Sequence, residues 1–301
     1  MKQKLKLIFV SLMFGIGLTL FLYPLVNKYE NKIEVNETKK NFEKTVEKLQ
    51  KESKEEDSPL NKLYSDMKAY NEKIYKDKQS DLKDPWSYQQ SSFDLTQYGV
   101  EDNIIGYITV PHMEIELPIY LGANTDNMAK GAVHMSQTSL PIGGENTNCV
   151  IAAHRGYKGI PMFCDIEIME IGDEVIIKNL WETLRYRVSN IKIINPSDSQ
   201  EVLIQPGKDM VTLITCHPYT KNYKRYVVYC EREKDNGEEV NNQTANTETV
   251  TSQKEDRPKK LSESQYKILF DRYSPLAGVI IMGFLLIFVV VSGKKKNRPN
   301  L

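Results

Sequence analysis

Apolar residues gather into one long block near each end of the chain and into many short runs between them. The first block, Leu7 to Val26 (LIFVSLMFGIGLTLFLYPLV), is uncharged. About 20 apolar residues, each rising ~1.5 Å along a helix, span a hydrocarbon core of roughly 30 Å. Lys2, Lys4 and Lys6 precede it with no acid among them, an asymmetry that directs the N-terminus to the cytosol. The residues that follow, LVNKYENK, offer no small-x-small cleavage site, so the block reads as an uncleaved anchor rather than a signal peptide. The second block, Leu276 to Gly293 (LAGVIIMGFLLIFVVVSG), is followed by Lys294, Lys295, Lys296 and Arg298. The two asymmetries agree on a path that leaves the cytosol and returns to it.

Between the blocks the period changes twice. From Asn27 to Lys83 the chain is dense in Lys and Glu, with apolar residues at helical spacing and opposite charges three and four apart, which predicts one or two surface helices forming a stalk. Beyond Asn103 come strand-length apolar runs separated by Pro and Gly clusters: IIGYITV, IELPIYL, CVIAAH, EVIIKN, RYRVSNIKII, VTLITC and RYVVYC. Many short strands with few helices predict a mainly β fold, a closed β-barrel. The stretch PMFCDIEIMEIGD reads as a short helix ending near Gly172. Residues 234–260 are almost devoid of apolar side chains and read as a flexible linker, because they cannot bury enough surface to offset their ordering entropy. The resulting division is an N-terminal transmembrane anchor (1–27), a charged stalk with the approach to the barrel (28–92), the barrel (93–233), a linker (234–272), a C-terminal transmembrane helix (273–293) and a basic cytosolic tail (294–301).

Charge adds little, since 40 Lys and Arg balance 40 Asp and Glu; nothing in that balance seeks nucleic acid. The four cysteines, Cys149, Cys164, Cys216 and Cys230, have no CxxC or Cys/His spacing, so no metal site is expected. An oxidising exterior permits disulfides, and sequence alone does not choose a pairing. Cys149 and Cys230 lie inside apolar runs and read as small core residues.

Cys216 closes the run TLITC and meets Pro218, and Arg225 opens the next run. If these runs pair as neighbours, the thiol and the guanidinium emerge at one end of the sheet, where Arg favours a thiolate and can hold a developing oxyanion. His154 ends CVIAA and also stands at a strand end. Cys, His and Arg at three strand ends suit acyl transfer. Of the other histidines, His112 reads as surface and His134 as a structural hydrogen-bonding residue. His217 adjoins Cys216 but points to the opposite face of its strand, which makes it a poor acid for that thiol.

TLITC followed by Pro218-Tyr219, Asn222 and Arg225 resembles the signature of the sortases. GAVHMSQTSLPIGGENTNCVIAAHRGY (131–157) resembles the region around their catalytic histidine, and NIIGYITVPHMEIELPIYLG resembles their first strands. Asp84-Pro85-Trp86 matches the lid motif of the pilus-building class, class C, which also carries a second membrane helix at its C-terminus. The resemblance covers about residues 84–230. Departures are His217, where class C members more often have Thr or Ser, Lys224, where they often have His, and the strand ending RYVVYCERE.

The resemblance implies a sortase-type β-barrel and a cofactor-free cysteine transpeptidase. Cys216 is then the acyl-thioester nucleophile toward the Thr carbonyl of an LPxTG-like sorting signal, His154 the proton donor and acceptor, Arg225 the transition-state stabiliser, and Asp84, Pro85 and Trp86 the lid. The partners it implies are surface or pilin proteins bearing such signals and an amine acceptor, a pilin lysine in pilus polymerisation. The alternatives are anchoring of surface proteins to cell-wall peptide and a membrane-bound cysteine peptidase. The implied location is the cell membrane, with the catalytic domain extracellular and both termini cytosolic.

Overall fold

The computed structural model describes residues 2–53, 58–88, 93–100, 103–157, 160–233 and 261–295. Its strands are β1 (Ile104–Val110), β2 (Ile115–Leu121), β3 (Ala132–His134), β4 (Thr147–Ala152), β5 (Glu174–Asn179), β6 (Thr183–Ile194), β7 (Asp209–His217) and β8 (Lys224–Arg232). They close into one barrel in the order β1-β2-β3-β4-β7-β8-β6-β5. Closure leaves no free sheet edge. The β2–β3 and β4–β7 pairs are parallel and the others antiparallel.

Burial follows each strand's pattern. In β4, TNCVIA, every position is buried, as expected of a parallel strand covered on both faces. The first half of β6 alternates exposed and buried positions, so one face looks to solvent. Gly106 occupies a close approach between β1 and β5, where an added Cβ would meet the Lys178 carbonyl oxygen at 2.4 Å. β3, paired with Leu121 and Ile151 through His134, has no counterpart among the expected strands; three residues are too few for a period. The expected short helix before Gly172 is a single turn of 3-10 helix, Ile166–Ile168.

The helices differ more from expectation. One helix, α1 (Lys2–Glu52), runs without a break from the N-terminal apolar block through the first half of the expected stalk. It does not stand free. Phe42 and Leu49 are each 4% exposed and join the core, Phe42 packs edge-on against Tyr107 at 5.4 Å, and Gln50 donates to the Leu180 carbonyl. The second helix, α2 (Pro59–Lys76), starts at an Ser58 N-cap and buries Leu63 and Met67 completely. The Asn71 amide clamps the Leu140 backbone, donating to its carbonyl and accepting from its N–H. Gln79 does the same between the Gln137 carbonyl and the Ile204 N–H. These buried clamps fix the chain that leads to Asp84. The short α3 (Thr125–Lys130) is inserted between β2 and β3.

The last helix, α4 (Glu263–Lys295), begins ten residues earlier than the expected membrane helix at 273, so residues 263–272 are not linker. Its start is a capping box: Ser262 Oγ accepts from the Gln265 N–H, and the Gln265 side chain accepts from the Ser262 N–H. Residues 234–260 of the expected linker and 296–301 of the expected tail lie outside the described residues. The two expected membrane crossings are not found: among the described residues no helix is long and apolar enough to cross a membrane. Parts of both apolar blocks, including positions 7, 24 and 25 and positions 282, 285 and 286, have side chains outside the described set.

Candidate active site

The β7–β8 ladder sets Cys216 directly opposite Arg225. In the parallel β4–β7 pair Ala152 stands level with Ile214. Pairing continues one step further, with the Ala153 N–H donating to the Ile214 carbonyl and Thr215 Oγ1 donating to the Ala153 carbonyl at 2.7 Å. His154 and Cys216 therefore lie two residues on along neighbouring strands. The structure brings all three expected residues to one end of three consecutive strands, β4, β7 and β8.

The Asp84–Trp86 segment covers that end. Asp84 accepts from Arg225 Nε at 2.7 Å and from Nη2 at 2.9 Å, a two-armed pair. The remaining arm of Arg225 donates to the Asn222 and Lys224 carbonyls. The Arg225 guanidinium carbon lies 4.4 Å from the centre of the Trp86 ring, a cation–π contact. Trp86 meets the His154 ring edge-on at 6.3 Å, and His154 also stacks on Tyr157 at 5.0 Å. Asp84 also accepts from the Trp86 N–H, and Ser87 Oγ donates to the Asp84 carbonyl, so Pro85–Ser87 forms one 3-10 turn. Trp86 Nε1 is buried with no hydrogen-bond partner among the described residues. The space left beside Arg225, between Pro85 and Ile194, is about 10 Å³, room for one water at most.

Cys216 is 8% exposed and Arg225 6%. Burial pushes the Cys216 thiol up to about 11; Arg225 pulls it down and Asp84 pushes it up again. Burial lowers His154. For Arg225 burial opposes the charge, but the Asp84 hydrogen bonds and the charges of Cys216 and Asp84 outweigh it, and its pKa is raised. In this closed arrangement the resting pair is a neutral thiol and a neutral imidazole beside a permanent cation.

The other titratable residues are occupied elsewhere. His134 is 2% exposed; its Nε2 lies 3.2 and 3.1 Å from the Thr138 and Ser139 carbonyls, and burial lowers its pKa to about 4. His112 is at the surface, with Nδ1 2.6 Å from Asp173. All four cysteines are free. Burial pushes Cys149 and Cys230 strongly up and Cys164 to about 11. Among the described residues no cluster of His, Cys, Asp and Glu could hold a metal ion.

One part of the site was absent from the sequence reading. Arg155 and His217, the residues after His154 and Cys216, meet at Glu167: Arg155 Nη2 donates to Glu167 Oε1, Arg155 Nη1 lies 3.0 Å from His217 Nδ1, and His217 Nδ1 lies 3.1 Å from the same Glu167 oxygen. Ser262, just ahead of α4, donates to Glu167 Oε2. Burial raises the Glu167 carboxyl, but the hydrogen bonds from Ser262 and Arg155 outweigh it and hold it low. The one sequence signal for this cluster is the Ser262-x-x-Gln265 capping box; Glu167 itself sits in an apolar stretch with its partners far along the chain.

Comparison with known proteins places this geometry. The sortase domain family model matches residues 108–233. Sortase A of Bacillus anthracis is 32% identical over 125 residues, 42% of this chain, and the match spans 58% of that relative's length. Two solved structures match over most of their own length. Sortase C of Streptococcus pneumoniae is 33% identical, with TM-score 0.57, over 66% of this chain and 97% of that one. The pilus-related sortase C of Group B Streptococcus is 32% identical, with TM-score 0.58, over 66% of this chain and 98% of that one. This chain belongs to the sortase family, with a pilus-related sortase C among its structural neighbours.

Proposed function

We propose that this chain is a membrane-anchored cysteine transpeptidase that cleaves an LPxTG-like sorting signal after Thr and joins the acyl group to an amine, a pilin lysine in pilus polymerisation. The observation that carries the reading is the opposed pair Cys216 and Arg225, with His154 at the end of the adjoining strand.

Cys216 Sγ attacks the Thr carbonyl. Its proton passes to His154, which starts neutral because burial lowers it, and the oxyanion that forms is held by the Arg225 guanidinium. His154 then gives the proton to the departing Gly amine, and the thioester remains. An incoming lysine amine attacks the thioester, loses its proton to His154 and leaves an amide and the restored thiol. Arg225 reaches an oxyanion only with the arm that Asp84 occupies in the closed form. Asp84, Pro85 and Trp86 therefore act as a lid that must leave before a signal binds, because Asp84 holds Arg225 and Trp86 lies against both Arg225 and His154.

Anchoring in the membrane, with the catalytic domain outside and both termini in the cytosol, is part of the same proposal. Its support is the uncharged run 7–26 behind three lysines and the run 276–293 ahead of a basic tail. In α1 and α4 large apolar side chains are exposed, among them Phe9 at 63%, Leu12 at 60%, Phe284 at 69% and Phe288 at 70%, a display that suits lipid rather than water.

The test is covalent capture. Incubation with an LPxTG-type peptide and mass spectrometry should find an adduct on the wild type and none on Cys216→Ala, with Cys149→Ala, Cys164→Ala and Cys230→Ala still labelled. Adding a lysine-bearing pilin domain should convert the adduct to an isopeptide product; conversion to free acid alone would favour a peptidase.

A further inference from the structure

The carboxylate of Glu167 sits where the two catalytic strand ends and the C-terminal helix meet. It is 7% exposed, as a side chain, and its partner Arg155 is 3% exposed. Through Arg155 it holds the residue after His154, and through His217 the residue after Cys216. Arg155 is itself braced by its Nε on the Cys164 carbonyl, and the Phe163 N–H returns to the His154 carbonyl at 3.0 Å. One buried anion thus fixes the backbone directly beyond both reacting side chains.

The head of α4 is built into the same cluster. Ser262 donates to the second Glu167 oxygen. Around it, the Tyr219 N–H donates to Ser264 Oγ at 3.1 Å, Lys267 Nζ donates to Thr220 Oγ1 at 2.7 Å, and Arg272 pairs with Asp165 at 2.8 Å. Ser264 is 4% exposed and Ile268 5%, so this end of the helix is packed rather than loosely laid on the surface. The segment it grips, Tyr219–Thr220, lies between Cys216 and Arg225. A buried carboxylate with an Arg, a His and a hydroxyl around it has few degrees of freedom, and strand ends tied to it share that rigidity.

We propose that Glu167 is a positioning residue for the transpeptidation, aligning Cys216 with His154 through His217 and Arg155, and that Ser262 makes the first turns of the C-terminal helix part of the catalytic domain. Neither residue touches the reacting atoms. The proposal rests on the transpeptidase reading above, and the two fail separately: that reading stands or falls on wild-type acyl-enzyme formation, this one on the ratio of variant to wild type.

The experiment uses the full chain in detergent, with an LPxTG-type peptide and the rate of acyl-enzyme formation. Glu167→Gln keeps the shape and one acceptor but removes the charge that gathers Arg155 and His217. It should lower kcat 10- to 100-fold with KM within twofold, because the peptide's groove is untouched while the alignment of thiol and imidazole is lost. Ser262→Ala, which leaves the Arg155–Glu167 pair in place and cannot threaten the barrel, should lower kcat three- to tenfold, again at constant KM, and should raise hydrogen exchange across residues 263–272. Glu167→Asp, with a shorter reach but the same charge, should recover part of the loss. The proposal is overturned if Ser262→Ala keeps kcat within twofold of wild type, whether or not Glu167→Gln folds. It is equally overturned if a folded Glu167→Gln loses affinity for the peptide rather than turnover.

Discussion

Asp84 accepts from two nitrogens of Arg225, at 2.7 and 2.9 Å, while Arg225 stands directly across the strand ladder from Cys216. One contact therefore ties the Asp84–Trp86 segment to the guanidinium that stands across from the thiol. The side chains are 19% and 7% exposed, so the pair is partly desolvated. It is worth about 1–2 kcal/mol, and the Trp86 contact adds about 1 kcal/mol. The buried Trp86 N–H, unpartnered among the described residues, takes back about 1 kcal/mol.

Asp84→Ala with Trp86→Ala should accordingly raise the alkylation rate of Cys216 roughly 5- to 30-fold, the ratio that about 1–2 kcal/mol sets. A pH profile separates access from charge. The plateau rate reports opening, and the apparent thiol pKa should fall below about 11 because Asp84 pushes it up in the closed form. Equal plateau rates would mean that the segment does not shield the cysteine.

Arg225→Lys tests the same contact from the other side. An ammonium cannot bond both Asp84 oxygens and the Asn222 and Lys224 carbonyls at once. Two readouts should move in opposite directions: faster alkylation of Cys216, because the lid is loosened, and peptide turnover lower by about 100-fold or more, because the oxyanion partner is misplaced. Turnover rising together with alkylation would assign Arg225 to lid closure alone.

His134 gives a stability prediction. Its folded pKa is about 4, against ~6.5 in an unfolded chain. Between these values the unfolded state binds a proton that the folded state refuses, so stability present above pH ~6.5 is lost as the pH falls toward 4. Near pH 4.5 the loss from this group is about 2–3 kcal/mol. His134→Gln, which can still donate to the Thr138 and Ser139 carbonyls, should flatten that part of the urea-midpoint profile relative to wild type. Parallel profiles would show that His134 does not carry it.

The strands were readable because their side chains report burial directly: IIGYITV and EVIIKN form β1 and β5 at the positions the runs mark. The juxtaposition of Cys216 and Arg225 was readable for a related reason, since two apolar runs joined by a turn containing Pro218 and Asn222 pair as neighbours and bring their near ends together. Glu167 was not, because one of four acids in PMFCDIEIMEIGD looks like a surface position until Arg155, His217 and Ser262, between 12 and 95 residues away, are placed around it. The start of α4 was half visible: Ser262-x-x-Gln265 is a start signal, but it follows a polar stretch whose composition dominated the reading.

The expected stalk is helical, and Phe42 sets its first helix against the barrel. Phe42, Val46 and Leu49 recur four and three residues apart on α1, and all three pack on the core. A free stalk would leave such a stripe in water or against a neighbour. Here the Phe42 ring is 4% exposed and meets Tyr107 of β1 at 5.4 Å. Lys39–Glu116 and Lys178–Glu43 pairs flank it, but these are exposed enough to contribute little. Truncating the ring removes its burial, opens a cavity against Tyr107 and loses the edge-on contact. Phe42→Ala should then destabilise the barrel by about 2–4 kcal/mol, whereas Lys39→Ala should change stability by less than about 0.5 kcal/mol. Urea unfolding followed by the fluorescence of Trp86 and Trp181, both outside α1, measures both. A Phe42→Ala transition coincident with wild type would mean that α1 leaves the barrel in solution, and the stalk would have to be restored as a free helix.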